Sequence, residues 1–316
     1  MIGFIQSVLN ILLLPGLAFT LIASILLAGI DRVLVARMQR RVGPPVLQPL
    51  YDVLKCLGKE TIVPRKANEK VFLLAPAVGL ISVLVTAMFL PIGNVSAIRT
   101  NADMIVILYL LTLASVTLIV GSAASGSPFA GVGLSREMVA MISYELPLVM
   151  VMLTVGFVCG NGLATFSLAK IGAYQAANGP LLLNPVLWPA AIALLFVIPC
   201  EVGQQPFDID EAETEICEGV LAEYSGKPLA QFKMMHNVKM YVMSGLFCAL
   251  FLNIQTGFFL ADILIYCVSC VLVTFVSMSV PHAVTARFRV EQVFKFYWTV
   301  VTGCAALSLI LVWIGL

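Results

Sequence analysis

Between Asp208 and Glu223 the chain carries seven carboxylates: Asp208, Asp210, Glu211, Glu213, Glu215, Glu218 and Glu223. No lysine or arginine falls among them, and the first cation is Lys227. Asp208, Glu211, Glu215 and Glu218 follow one another at intervals of three, four and three residues. On a helix that spacing would align four acids in one stripe, beside an apolar stripe of Ile209, Ala212 and Ile216. Like charges so placed repel unless cations, water or a partner compensate, and a carboxylate beside another has a raised pKa. Three more acids stand at or inside apolar segments. Glu137 and Glu145 are eight residues apart, two helical turns or ~12 Å, on a broadly shared face. Glu201 closes an apolar run just after Pro199. Ionisable groups at membrane depth are expensive and face a bundle interior or a wet cavity. The expectation is a string of protonatable carboxylates that relays charge from an aqueous edge into the membrane. The plainer alternatives are a solvated acidic face, a local Glu137–Arg136 pair and a Glu201 that merely sits at the interface.

The elements that must hold these acids follow from composition. The 316 residues (34.0 kDa) are 60% hydrophobic and only 11% charged, with mean hydropathy +1.02. Soluble domains carry about 25% charged residues, so this is an integral membrane chain. A net charge of +1 gives no sign of nucleic-acid binding. Residues 1–30, 71–93, 104–124, 240–261, 263–281 and 296–316 hold no charge; 138–158 holds only Glu145, and 185–200 is apolar up to Glu201. A helix needs about 20 apolar residues to cross the bilayer. The expected fold is therefore an all-α polytopic membrane protein of about eight transmembrane helices in a single domain, 1–316. Its fifth span must recruit residues up to about Gln204, or cross short and tilted. The opening stretch lacks the basic start of a signal peptide and is taken as the first span.

Sixteen of the eighteen Lys and Arg fall in the loops 31–70, 125–137, 204–239 and 282–295, leaving only Arg99 and Lys170 elsewhere. The positive-inside rule then puts these four loops inside and both termini outside. In the first loop Leu47, Leu50, Tyr51, Leu54 and Leu57 recur at helical spacing opposite Gln48, Asp52, Lys55 and Lys59, the pattern of a short helix in the headgroup plane. The stretch 159–184, with Asn161-Gly162 and Asn178-Gly179-Pro180, reads as an ordinary outer connection.

Other chemistry is sparse. The eight cysteines are scattered, and Cys267-Val-Ser-Cys270 sits in an apolar helix without a second pair, so it reads as packing rather than a metal site. His236 and His282 are far apart in sequence, and Gly126, Gly131 and Gly133 lack the Lys-Ser/Thr of a phosphate loop. Asn94-Val-Ser96 fits a glycosylation sequon by chance. No catalytic centre, metal site or cofactor of this chain's own is expected.

At Pro206-Phe207-Asp208-Ile209-Asp210-Glu211-Ala212-Glu213, followed by Glu223-Tyr224-Ser225-Gly226, the sequence resembles a known family. It is the eight-helix subunit that joins the peripheral and membrane arms of respiratory complex I, and its homologue in energy-converting membrane-bound nickel–iron hydrogenases. Gly43-Pro44, Leu47-Gln48-Pro49, Lys55 with Lys59-Glu60, Ile142-Ser143-Tyr144-Glu145 and Arg287-Phe288-Arg289-Val290-Glu291-Gln292 carry the same resemblance, which runs from about residue 30 to 300. The complex I pattern doubles its Gly-Pro element around Asn-Arg-Val, whereas Arg41-Val42-Gly43-Pro44-Pro45 has it once. The complex I signature after the fifth-span glutamate contains Thr-Asn-Arg, whereas Glu201 is followed by Val202-Gly203-Gln204-Gln205. Ser125-Gly126-Ser127-Pro128-Phe129-Ala130-Gly131-Val132-Gly133, Ser135-Arg136-Glu137 and Glu218-Gly219 are similar to the hydrogenase branch, of the formate-hydrogenlyase, carbon-monoxide-linked or Ech type.

The resemblance implies a membrane anchor and coupling subunit of such a hydrogenase complex in the cytoplasmic (inner) membrane. Hydrogen evolution in partner subunits would be linked to H⁺ or Na⁺ translocation, and the neighbouring reading is the quinone-binding membrane subunit of a complex I-type NADH dehydrogenase. Glu145, Glu201, Asp208, Glu211, Glu213 and Glu223 match positions that line a carboxylate-rich passage in relatives. With Glu137, Asp210, Glu215 and Glu218 they make up the expected relay. Loops 31–70 and 204–239 would dock the peripheral redox module through Arg37, Arg40, Arg41, Gly43, Pro44, Gln48, Lys55, Lys59 and Tyr224, with Arg287 and Arg289 from the fourth loop. The implied partners are the hydrogenase large and small subunits, a ferredoxin-like iron–sulfur subunit and antiporter-like membrane subunits. The NiFe centre and 4Fe-4S clusters would reside in those partners.

Overall fold

Apolar runs of about 20 residues in lipid satisfy their backbone polar groups internally, and helices result. The computed structural model describes residue 12 and residues 16–93, 95–160 and 164–315. Among the described residues there is no strand beyond one bridge between Ile92 and Val95. The spans are α1 (Leu17–Met38), α3 (Glu69–Phe89), α4 (Asp103–Ser125), α5 (Pro128–Cys159), α7 (Trp188–Val202), α8 (Gly226–Phe251), α9 (Phe259–Val284) and α10 (Val290–Ile314). The shorter helices are α2 (Gln48–Leu57) and α6 (Leu168–Asn178). The molecule is an all-α polytopic membrane protein.

Seven of these spans are long and apolar enough to cross a bilayer by composition alone; α8 is the exception. From Asn237 to Phe251 every α8 residue is buried, against α1, α2, α3, α7 and α9. A helix jacketed by other helices meets no lipid, so it can carry Asn237 and Lys239 where a lipid-facing helix could not. The sixth span is therefore displaced from the expected 240–261, and Leu252–Phe258 is a connection. The first span also departs from expectation. It runs on to Met38 and so draws Asp31 and Arg32 into a helix; residues 1–11 and 13–15 of the expected 1–30 lie outside the described residues. The fifth span, Pro185–Val202, has 18 residues and stops before Gln204, so of the two alternatives it crosses short.

The connection after α5 is not a plain loop. It contains α6, whose Gln175 donates to the carbonyls of Ala249 and Leu250 and accepts from the Asn253 amide. Those bonds satisfy backbone groups at the end of α8 that have no partner within the helix. Asn161 and Asn94, named above for their turn and sequon, lie outside the described residues. In the first loop, α2 packs Pro49 and Cys56 inward and leaves Leu47, Tyr51, Leu54 and Leu57 exposed, which suits an interfacial helix.

Two ion pairs link the second and fourth Lys/Arg-rich loops to the third at one end of the bundle, and another lies within the first. Arg32 meets Asp52 at 2.8 Å, Arg136 meets Glu215 at 2.7 Å, and Arg287 meets Asp208 at 2.7 Å. The Phe288 amide also donates to the Pro206 carbonyl, and Ile62 to Ser225 Oγ.

Candidate functional site

The acidic segment is a strap, not a helix. Between α7 and α8 the chain forms only one short helical turn at Glu213–Ile216 and a 3-10 turn at Gly219–Leu221, so the expected helical stripe does not form. Several closely spaced acids make a continuous helix costly, and the strap instead turns through left-handed φ at Cys217, Glu218 and Gly219. A Cβ on Gly219 would meet the Asp210 carbonyl at 2.0 Å, so this crossing needs glycine. A Cβ added to Gly133 of α5 would meet the Val220 amide at 2.7 Å, and that close approach lets the strap lie against α5.

Aromatic rings pin both ends of the strap. Phe207 stacks with Phe288 and meets Tyr297 edge-on, at ring-centre distances of 5.5 and 5.3 Å. Tyr224 stacks on Phe72 at 4.1 Å and donates to the Phe72 carbonyl. Tyr224 is thus buried, and it anchors the strap rather than presenting a docking surface.

Inside the bundle the acids converge on a cation. Lys239 Nζ of α8 lies 3.0 Å from Glu201 Oε1 of α7 and donates to Ser115 Oγ of α4 at 2.8 Å. Ser115 Oγ in turn lies 3.0 Å from Tyr144 Oη of α5. Lys239 and Glu201 are 5% and 2% exposed, so this is a dry ion pair. Glu137 is also buried, and it interacts electrostatically with Asp210, Lys239 and Glu201. It does not take Arg136 as its partner; that guanidinium reaches outward to Glu215 and to the Ile209 carbonyl. Glu145 is half-buried farther along α5, where Glu201 feels its charge.

Asp210 connects this cluster to the strap. Burial, then the neighbouring Asp208 charge, push its carboxyl up to about 7. Burial and the charges of Asp210 and Asp208 raise Glu211 as well. Glu211, Asp208 and Glu218 line a cavity of about 260 Å³ together with Asp52, Lys233 and His236. Three members of the expected stripe therefore share one cavity, although no helix aligns them. The exposed Glu215 is held below the ordinary carboxylate range by its hydrogen bond from Arg136. Glu223 is half-buried, and the Glu213 side chain lies outside the described residues.

Of the residues expected at a docking face, Arg37, Arg40, Arg41, Pro44, Lys55, Lys59 and Arg289 are exposed. Gly43 is half-buried, Gln48 donates to Asp52, and Arg287 is held by Asp208. Sequence reasoning missed Lys239, because a hydropathy boundary at 240 left it in a loop. It also missed Asp31, which is buried and accepts from Gln204 Nε2 and Ser279 Oγ, both at 2.6 Å. The signal for Lys239 was the apolar helical pattern continuing toward the N-terminus from 240 with no break.

The NADH dehydrogenase family pattern matches residues 10–313. The chain belongs to that family. It is 34% identical over 280 residues to hydrogenase-4 component C of Escherichia coli K12, covering 86% of each chain. It is 30% identical over 336 residues to the H subunit of NADH-quinone oxidoreductase from Syntrophotalea carbinolica, covering 100% of this chain and 99% of the relative. A chain of the membrane-bound sulfane sulfur reductase, an archaeal respiratory membrane complex, superposes with a TM-score of 0.87 at 28% identity, covering 98% of this chain and 99% of the other. This family member is thus a multi-pass membrane subunit of a respiratory complex of the complex I-like, hydrogenase-4 type. Among the described residues no group of His, Cys, Asp and Glu is placed to hold a metal ion.

Proposed function

We propose that this chain is the membrane anchor and coupling subunit of an energy-converting nickel–iron hydrogenase in the cytoplasmic membrane. Hydrogenase large and small subunits and a ferredoxin-like iron–sulfur subunit, which hold the NiFe centre and 4Fe-4S clusters, seat on the end of the bundle where the four basic loops meet. Antiporter-like subunits lie beside it in the membrane. The observation that carries this reading is the continuity of the acids. Asp208 and Glu211 line a cavity, Asp210 is buried beside them, and inside the bundle Glu201 pairs with Lys239 while buried Glu137 interacts electrostatically with both.

The coupling is electrostatic at short range. Two unit charges ~4 Å apart interact by about 4 kcal/mol at an effective dielectric of about 20. That moves a pKa by about three units at about 1.4 kcal/mol each. A charge change at the base of the redox module therefore shifts proton occupancy at Asp210, then at Glu137 and Glu201, and onward to the ion-moving partners. The similarity to hydrogenase-4 component C and the single Gly43-Pro44 element support the hydrogenase branch.

In sealed vesicles a coupled complex evolves hydrogen faster when an ionophore collapses the gradient. With Glu201→Gln or Glu137→Gln, that stimulation disappears if the acids carry the coupling; full stimulation in both would refute the relay. A second reading, a quinone-reducing complex I component, is favoured by the full-length match to the NADH-quinone oxidoreductase relative. A cavity of about 380 Å³ between α1, Pro44, His236 and His282 has the mixed polar and apolar walls a quinone needs. Solvent extraction of the purified complex distinguishes the two, since the hydrogenase reading predicts no stoichiometric quinone.

A further inference from the structure

The buried cluster holds one cation for two acids. Glu201 of α7 pairs with Lys239, buried Glu137 of α5 interacts electrostatically with both, and among the described residues Glu201 Oε2 has no hydrogen-bond partner. Around them Ser115 and Tyr144 supply hydroxyls, Asp210 and Glu145 add further acid charge from the strap and from α5, and His236 lies one turn away on α8. With both acids ionised the trio would carry an uncompensated negative charge in a dry interior, which costs several kcal/mol. The cluster is neutral when Lys239 pairs with one glutamate and the other holds a proton.

Ser115 sits where an exchange between the two acids would pass. Its hydroxyl takes a hydrogen bond from Lys239, touches Tyr144 and neighbours the Glu137 carboxyl. A lysine has a flexible four-carbon stem and three rotatable donors, which suits its ammonium to trade one carboxylate for the other around that hydroxyl.

We infer that Lys239 is a two-position switch that makes the proton sites on Glu137 and Glu201 mutually exclusive. When the ammonium pairs with Glu201, the proton is on Glu137; when it moves to Glu137, that acid releases its proton and Glu201 takes one up. One proton changes site per swing, and no net charge is left in the bundle. Lys239 is thus a positioning residue for the coupling, and the inference rests on the carboxylate-relay reading above.

The test is the redox-induced infrared difference spectrum of the whole complex, with carboxyl bands assigned by the two glutamine variants. The switch predicts that the Glu137 and Glu201 bands change in opposite senses and that Glu137→Gln abolishes the Glu201 change together with its own. A Glu201 band that still responds in Glu137→Gln overturns the switch while leaving the relay intact. Lys239→Gln, which keeps hydrogen bonding but loses the charge, should lose ionophore-stimulated hydrogen evolution, and Lys239→Arg should keep part of it. Coupling unimpaired in Lys239→Gln identifies a structural hydrogen bond and overturns the proposal. If neither glutamate variant alters spectrum or coupling, the relay itself is what has failed.

Discussion

Asp210 stands where the strap meets the buried cluster, and its value of about 7 has a measurable consequence. The folded protein keeps this proton to a higher pH than the unfolded chain, whose carboxyl has the ordinary value near 3.8. Its contribution to stability is therefore complete below about pH 4 and is lost as pH rises toward 7. Thermal unfolding of the detergent-purified complex should show that decline, and Asp210→Asn should flatten it; an unchanged slope would mean that Asp210 is ionised throughout. At this scale the sequence was informative about acids and blind to their counter-charge. Glu137 and Glu201 stood out because they interrupt or end apolar runs. Lys239 did not, since only a neighbouring helix from elsewhere in the chain makes its position dry.

The strap is the element on which the site depends, and its anchors are aromatic and glycine contacts rather than its charges. Tyr224→Ala removes the stack on Phe72 and the hydrogen bond to its carbonyl, which should destabilise the assembled chain by about 3 kcal/mol, as large aromatic truncations do. Gly133→Val drives side-chain atoms into the Val220 amide and should cost about 1–3 kcal/mol through overpacking. Limited proteolysis at the strap would register both as faster cutting between Gly203 and Ser225. The spacing of Asp208, Glu211, Glu215 and Glu218 suggested a helix because periodicity reports what a helix would align. Positive φ at Cys217 and Glu218, backbone approach at Gly133 and Gly219 and the Phe207 stack are tertiary facts that override it. Hydropathy located the other spans well, since lipid imposes length on every helix it touches. It misplaced α8, which lipid does not touch, and stopped α1 short at residue 30 because Asp31 and Arg32 are charged.

At the scale of the whole molecule, charge is sorted by depth. The three ion pairs of the basic loops are at one end, half-buried or exposed, while the single dry pair among the described residues lies within. Exposed pairs contribute little and are screened by salt, so Glu215→Gln should leave assembly and coupling unchanged. That makes it the matched control for the buried acids, because both substitutions exchange one carboxylate for one amide in the same chain. The most direct measurement is the ion gradient built by vesicles holding the complete complex during hydrogen evolution, per hydrogen evolved. The account predicts that Glu215→Gln matches the unaltered complex and that Glu201→Gln evolves hydrogen without building a gradient. A full gradient in Glu201→Gln would contradict it, leaving the buried acids as parts of a passive membrane anchor.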